Sequence, residues 1–496
     1  MFNKLVKKSW FPLIIRIISA IGFIFALIVL YIGSVKIIFG FNSSLMMFVL
    51  WVFWWPLLYV SLIFLGRLWC GFICPVGLAN EVGNSLSKKR KTKFYRYGFI
   101  PFVVFFLIVF WEQISGLFSS TQVTIFFLVS FVSAGFLLGL ILPGWGFCKM
   151  FCPIGTLFGS FSRLSFLGVR TDKVKCEKCK TKECVVGGEY PKCPTFINVP
   201  KIKSNKDCVM CGYCIKNCPY DSAKICKIKA GEELREKAGF SLRESFFIIA
   251  LLGMSVLLTT RGTLLLRFFD ASGSLLRAID FVLWIGIFLG LFLFINLFVK
   301  GSYRENLRNS GFVYLPLVFS LFFFLIVFGF LTPLTSIGDT MIAVSKYIIL
   351  GIGVIWSSKL SYDLFDKRFL VYFISIIAIA GFWVLVLIPG PLSLFSYSGN
   401  VYVVEEGGVV QMDAYSMGFN PSIIKVKKGY FDINITNVDV IHSFDIDEMD
   451  VHVNLEGGGS RRIRINALEE GEYEFYCKIP GHKEAGMKGV LIVEDV

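Results

Sequence analysis

Cys208-Val-Met-Cys211-Gly-Tyr-Cys214-Ile-Lys-Asn-Cys218-Pro219 is the stretch on which the reading of this chain turns. It spaces its thiols as Cys-x2-Cys-x2-Cys-x3-Cys-Pro, a run that supplies ligands to iron–sulfur clusters. A second run lies just before it, Cys176-x2-Cys179-x4-Cys184-x8-Cys193-Pro194, with its later gaps widened. Paired Cys-x2-Cys motifs also hold zinc, but eight cysteines with two Cys-Pro endings favour iron and sulfide. Where two such runs share two clusters, the fourth cysteine of each ligates the other's cluster. That rule assigns Cys176, Cys179, Cys184 and Cys218 to one [4Fe–4S] cluster, and Cys208, Cys211, Cys214 and Cys193 to a second. Cys226 is left over as a buried or idle thiol.

Working outward, the cysteines sit among apolar segments. Of 496 residues, 55% are hydrophobic, 53 are Phe and only 17% are charged, which argues against an ordinary soluble protein. About nine stretches read as spanning helices, at 11–33, 44–66, 98–118, 122–142, 244–260, 279–299, 310–331, 341–358 and 369–391, several beyond the ~20 apolar residues a bilayer requires. No cleavable signal peptide is expected, because the first apolar stretch is long and lacks a small-residue cleavage site. The net charge of +15 is explained by loops rather than by nucleic acid, which is not expected as a partner. Lys4, Lys7 and Lys8 place the start of the chain on the cytoplasmic side, as do Arg67, Lys88, Lys89, Arg90, Lys91, Lys93 and Arg96 for the loop after the second helix. Lys300, Arg304, Arg308, Lys359, Lys367 and Arg368 fall on the same side. The cysteine runs are then expected to be cytoplasmic, where disulfides are not expected to persist, and residues from about 398 to lie outside. Arg261, Arg267 and Arg277 fit this threading poorly. Lys346 and Glu112, within apolar spans, read as snorkelling side chains.

Two further motifs repeat one pattern: Trp69-Cys70-Gly-Phe-Ile-Cys74-Pro75-Val-Gly77 and Phe147-Cys148-Lys-Met-Phe-Cys152-Pro153-Ile-Gly155. Each follows a transmembrane hairpin, so the first four helices form a duplicated unit. Cysteines at i and i+4 are expected to share a helix face, and Cys70, Cys74, Cys148 and Cys152 together offer a redox or metal site. The alternative is simple packing of the hairpin ends. The twin Cys-x3-Cys-Pro-x-Gly hairpins followed by the two cysteine runs resemble the membrane polyferredoxins of the NapH/NosR/CcoG type over roughly residues 1–240. The resemblance implies electron transfer serving a periplasmic reductase, or copper handling during oxidase assembly.

Beyond residue 400 the composition changes to short β-branched runs between Gly, Asn and Asp turns, the pattern of a β-sandwich. Strands are expected at 409–415, 423–427, 431–437, 451–455, 461–465, 472–477 and 489–493. His442 is expected just after a strand, and Cys477, His482 and Met487 follow in one loop. Two imidazoles, a thiolate and a weak thioether are the ligands of a mononuclear blue-copper site. Tyr473-Glu-Phe-Tyr-Cys477, Pro480-Gly-His482 and Gly486-Met487-Lys-Gly resemble cupredoxins across nearly this whole region. The Val-Ile-His442-Ser-Phe portion also resembles the dinuclear copper domain of terminal oxidases, but that centre needs two loop cysteines and this chain has one. His452 reads as an ordinary surface histidine.

The expected architecture is a multi-domain membrane protein. Residues 1–172 form a four-helix transmembrane unit and 173–240 a ferredoxin-like α+β two-cluster domain. Residues 241–397 form a five-helix unit and 398–496 an all-β cupredoxin sandwich. The expected function is membrane-bound electron transfer, linking cytoplasmic [4Fe–4S] clusters, with quinol as a candidate donor, to an extracytoplasmic type 1 copper centre that serves a periplasmic oxidoreductase. Redox partners are expected on both sides of a multi-pass inner membrane. A copper reductase or maturation factor is the alternative, and whether the chain is an enzyme is left open. A transporter has no evident substrate pathway in its favour. All three histidines lie beyond the last apolar stretch, so no bis-histidine haem is expected within the ~30 Å hydrocarbon core. Either the two ends act independently, or a quinone or a partner subunit bridges them.

Overall fold

The computed structural model describes residues 2–8, 10–33, 43–87, 98–115, 117, 121–260, 274–328, 339–387, 401–404, 407–415, 418–437, 442–456, 459–467, 469–479, 482–483 and 487–494. The basic stretch 88–97 and the loop with Arg261 and Arg267 lie outside them, as do the side chains of Arg277 and Lys367.

All nine apolar segments contain helix. Among the described residues, five helices are long and apolar enough to cross a membrane: Trp10–Ile32, Leu45–Leu65, Thr121–Ile141, Tyr303–Val327 and Val344–Phe365. Further apolar stretches, Ile100–Glu112, Phe281–Leu297 and Phe369–Val384, lie within the helices Ile100–Ser115, Ser274–Leu297 and Phe369–Leu387. Tyr303–Val327 is the centre of the bundle and almost wholly buried, whereas Trp10–Ile32 exposes Ile14, Ile17, Ile18, Ile21 and Ile24. An apolar exposed face of this kind suits lipid rather than water. Lys346 lies with its ammonium 5.0 Å from the Phe324 ring centre, a cation–π contact.

Both Cys-x3-Cys-Pro motifs break helices instead of riding on one. Cys70 is within the Leu68–Phe72 helix, whereas Cys74 has extended backbone (φ −64°, ψ 118°) and caps the Pro75–Leu86 helix. Cys148 and Cys152 repeat this around Gly146–Met150 and Pro153–Phe161, with Cys152 at φ −74°, ψ 113°. The expected shared helix face is therefore corrected. A proline crowds the preceding residue out of helical backbone, so each pair spans a helix-to-helix corner. The two halves meet through glycine. A Cβ on Gly83 would stand 2.3 Å from the Phe136 carbonyl, and one on Gly139 would stand 2.5 Å from that of Asn80. Small residues allow this backbone-to-backbone approach of membrane helices, and Asn80 Nδ2 donates to the Gly135 carbonyl at 2.8 Å.

The cysteine-rich region is held by a two-stranded antiparallel sheet, β1 (Leu167–Arg170) against β2 (Lys224–Lys227). It thus begins a few residues before the expected boundary at 173. The amino-terminal Phe2–Lys7 helix docks on it: Val6 is fully buried in its core, Asn3 exchanges hydrogen bonds with the Ile225 backbone, and Lys7 pairs with Asp221.

The C-terminal region is a β-sandwich of β3 (Val401–Val404), β4 (Val409–Tyr415), β5 (Gly418–Asn420), β6 (Ile423–Lys427), β7 (Gly429–Asn437), β8 (His442–Ile446), β9 (Val451–Leu455), β10 (Ser460–Ala467), β11 (Gly471–Tyr476) and β12 (Lys488–Glu494). One sheet has the order β10-β7-β4-β5 and the other β3-β6-β12-β11-β8-β9. β3, β5 and β8 are additions to the expected strands. His442 comes after β7, as expected, and itself opens β8. The all-buried pattern of β8 lacks the period-2 alternation by which half-exposed strands are recognised.

Candidate metal centres

In the sandwich, β8 pairs with β11 through Asp445 and Tyr476, which sets His442 beside the turn that follows β11. Cys477 N donates to the Met487 carbonyl (3.0 Å) and Met487 N to the His482 carbonyl (2.9 Å), closing that turn. The result is a triangle of ligand atoms. The two Nδ1 atoms of His442 and His482 are 3.1 Å apart, and Cys477 Sγ is 4.0 Å and 3.5 Å from them. Cys477, His442 and Met487 are fully buried and His482 nearly so. Metal–nitrogen and metal–sulfur bonds of about 2.0 and 2.3 Å fit one ion at the centre of this triangle, so the residues suit the expected copper. Burial opposes ionisation of Cys477, but hydrogen bonding with His442 and His482 and with the Ser443 and Ile479 amides outweighs it and lowers the thiol pKa to about 6.

The cysteine-rich loops build differently. Asp172 caps the Lys173–Lys178 helix, accepting from the amides of Val174 and Lys175, and this helix presents Cys176. Cys176, Cys179, Cys184 and Cys218 line one open pocket with Ser222 and Asn217. Cys218 Sγ accepts from the Ser222 amide at 3.2 Å, and Cys176 Sγ lies 3.1 Å from Ser222 Oγ. Burial first, then the neighbouring Cys218, Cys176 and Cys179, push the Cys184 thiol to about 11. Cys193, Cys208, Cys211 and Cys214 gather on the other side. Burial, with Cys193 beside it, pushes Cys208 to about 12 and Cys211 higher still. Thiols held this far from ionisation need a metal's charge to become thiolates, so this donor set fits a bound cluster. Among the described residues, only His442, Cys477 and His482 bring ligand atoms mutually within 4.8 Å. The cysteine groups are thus wider than a single zinc ion with ~2.3 Å bonds would draw them.

Cys70, Cys74, Cys148 and Cys152 also converge. Burial comes first and neighbouring thiols add to it: Cys70 helps push Cys74 to about 11, Cys74 and Cys70 help push Cys152 to about 12, and Cys152, Cys74 and Cys70 raise Cys148. Arg67, 4% exposed, lies against them. Its Nη1 donates to the Lys206 carbonyl at 2.6 Å, while its buried Nε has no partner. A buried guanidinium with an orphaned donor beside four thiols marks a place for an anionic group. Cys70 and Cys148 pack in the same cluster as Cys211, Trp145 and Tyr213. Gly71 allows this contact, since a Cβ there would stand 2.4 Å from the Val209 carbonyl. Arg16 ties the three parts together, donating to the Gly71 carbonyl (2.8 Å), Tyr213 Oη (3.2 Å) and Glu81 (2.6 Å). Cys226 stands apart, with its thiol 3.7 Å from the Gly168 carbonyl. Sequence reasoning missed the roles of Arg16 and Arg67. Arginines in apolar context near cysteine motifs were the available signal.

A 4Fe-4S binding domain model matches residues 47–93 and 124–170. Each matched stretch contains one Cys-x3-Cys-Pro motif, and neither reaches Cys176. A cupredoxin-like domain model matches residues 378–493. An uncharacterized protein of Methanocaldococcus jannaschii is 29% identical over 163 residues, covering 31% of this chain and 61% of that protein. The ferredoxin-type protein NapH of Escherichia coli K12 is 24% identical over 176 residues, covering 31% of this chain and 60% of its own length. The chain thus spans about three-fifths of each of these relatives. Among solved structures, reduced auracyanin from Roseiflexus castenholzii shares 19% identity at a TM-score of 0.16, over 18% of this chain and 98% of that one. The chain therefore joins a 4Fe-4S binding domain, similar to the ferredoxin-type protein NapH, to a C-terminal cupredoxin-like domain.

Proposed function

We propose that this is a membrane-bound electron-transfer protein with iron–sulfur centres on the cytoplasmic face and a type 1 copper centre on the outer face. The observation that carries the reading is the buried triangle of His442 Nδ1, His482 Nδ1 and Cys477 Sγ in the same chain as a 4Fe-4S binding domain. Cys176, Cys179, Cys184 and Cys218 would hold one [4Fe–4S] cluster and Cys193, Cys208, Cys211 and Cys214 a second. Cys70, Cys74, Cys148 and Cys152 would hold a third, with Arg67 opposing its negative charge. His442, Cys477 and His482 would hold copper, with Met487 as the weak axial ligand. When bound, these groups supply one-electron chemistry.

The protein's own contribution is placement. The Gly71 contact sets the four-thiol site against Cys211, and the sandwich holds the copper ligands in a fixed, dry triangle. Basic residues at 4–8, 300–308 and 359–368 support a cytoplasmic iron–sulfur face. A quinol donor and a periplasmic oxidoreductase acceptor suit this arrangement. The copper-delivery alternative is disfavoured by the burial of His442, Cys477 and His482, which leaves an incoming acceptor no exposed ligand atom to attack.

Metal analysis of the purified full chain tests the assignment. About twelve iron atoms in three [4Fe–4S] clusters and one copper with intense blue absorption are expected per chain. About eight iron atoms would remove the third cluster, and copper bound without the blue band would refute the type 1 site.

A further inference from the structure

Ser443 follows the ligand His442 and faces Cys477 with two donors. Its amide donates to Cys477 Sγ at 3.3 Å, and its hydroxyl lies 3.8 Å from the same sulfur. The hydroxyl has only one proton to give. Its oxygen accepts from the Lys478 amide at 2.7 Å and stands 2.5 Å from Asp445 Oδ2. A charge-assisted O–H···O bond at that length outcompetes a sulfur at 3.8 Å, so the proton goes to Asp445.

Asp445 is itself unusual. Its side chain is 4% exposed, on the inner run of β8, and its other oxygen is 2.9 Å from His452 Nδ1. His452 lies across the β8–β9 pairing and is 42% exposed; Asp447 at 3.9 Å and Asp450 at 3.7 Å also face it. A buried carboxylate is expensive and contributes little to net stability even when paired. Its position points instead to the copper-ligand sulfur.

We propose that Asp445 is a positioning residue that captures the Ser443 hydroxyl, withholding a second hydrogen bond from the Cys477 sulfur, while His452 fixes the carboxylate. This rests on Cys477 being a copper ligand. Hydrogen bonds around that sulfur tune the potential of such a centre. The reduced site carries one more negative charge, so an added donor at the sulfur favours the reduced form. Asp445 thereby holds the couple lower than the same ligands would otherwise give.

The test is a redox titration of the blue band in the copper-loaded full chain, with Asp445→Asn, Ser443→Ala and the double variant. Asp445→Asn removes a charge and frees the hydroxyl, and should shift the couple toward the reduced form by about tenfold, or ~59 mV for one electron. In the Ser443→Ala background that shift should fall by half or more, because no hydroxyl remains to turn. Ser443→Ala alone should leave the couple within about twofold of wild type. Equal Asp445→Asn shifts in both backgrounds would overturn the proposal, reducing Asp445 to a bare charge. A tenfold move toward the oxidised form in Ser443→Ala alone would also overturn it, and can be read even if Asp445→Asn fails to fold. Copper bound to wild type without a blue band would defeat the copper reading itself, and this proposal with it.

Discussion

The cysteine-rich loops and the copper turn both gather sulfur, but they prepare it in opposite ways. Burial drives Cys208 and Cys152 up to about 12, with no hydrogen bonds sufficient to offset it. The Cys477 residue is fully buried, yet its imidazole and amide neighbours bring the thiol down to about 6. The reason is the scaffold. Cys477 directly follows a strand, β11, whose partners, β8 and β12, are fixed by sheet pairing and by the packed rings of Phe419, Phe444 and Phe475. The cluster cysteines sit on four- to six-residue helices and turns with one short two-stranded sheet between them. On the proposed function, one site would be prepared before its metal arrives, whereas the other would need its metal to complete the fold.

The largest expected effect follows directly. Cys211→Ser should cost the cluster proposed at Cys193, Cys208, Cys211 and Cys214 and the order of its loops, seen as loss of iron and rapid proteolysis between residues 173 and 240. Cys477→Ser should abolish the blue absorption while the sandwich stays folded, with strand circular dichroism retained. If both regions unfold, or both survive, the contrast between a metal-built and a sheet-built site is wrong.

Next in size is the buried pair beneath the cysteine loops. Arg163 makes a two-pronged bond to Glu244 (2.9 Å each), both fully buried, and Lys206 adds a contact at 2.8 Å. Arg163→Met leaves that carboxylate short of a partner and should destabilise the iron–sulfur region by about 3–5 kcal/mol. The double variant Arg163→Met/Glu244→Gln should recover part of the loss in thermal unfolding, and the copper domain should not respond.

A smaller effect separates the four-thiol site from the others. Cys70→Ser with Cys152→Ser should lower iron by about four atoms per chain, one [4Fe–4S] cluster, and spare the remainder. Unchanged iron would return these thiols to a packing role. Smallest is Met487→Leu, which should keep the blue band and raise the copper potential, because a weak thioether donor to the oxidised ion is lost. A bleached site in that variant would show Met487 to be a structural ligand.

Much of this was legible in the sequence because ligand spacing is local. The two cysteine runs, the twin Cys-Pro motifs and the Cys477-to-Met487 turn each lie within a few dozen residues, and the alternating strands of the sandwich follow period 2. What stayed hidden depends on distance along the chain. Asn3 meets Ile225 across 222 positions and Arg16 meets Tyr213 across 197, and no local pattern announces either. The relay from His452 through Asp445 to Ser443 was missed because β8 is buried on both faces and shows no alternation. The helix break at Cys74 and Cys152 was readable, since a following proline disfavours helical backbone and the Pro and Gly there were expected to reshape it, but the i, i+4 reading still placed each pair on one face.

Rapid mixing of the purified full chain with a low-potential reductant or with quinol tests the central claim most directly, with cluster and copper absorbance followed together. Reduction of the iron–sulfur centres followed by bleaching of the blue band is the expected result. Clusters that reduce while the copper stays blue would contradict a single electron-transfer protein with centres at both ends.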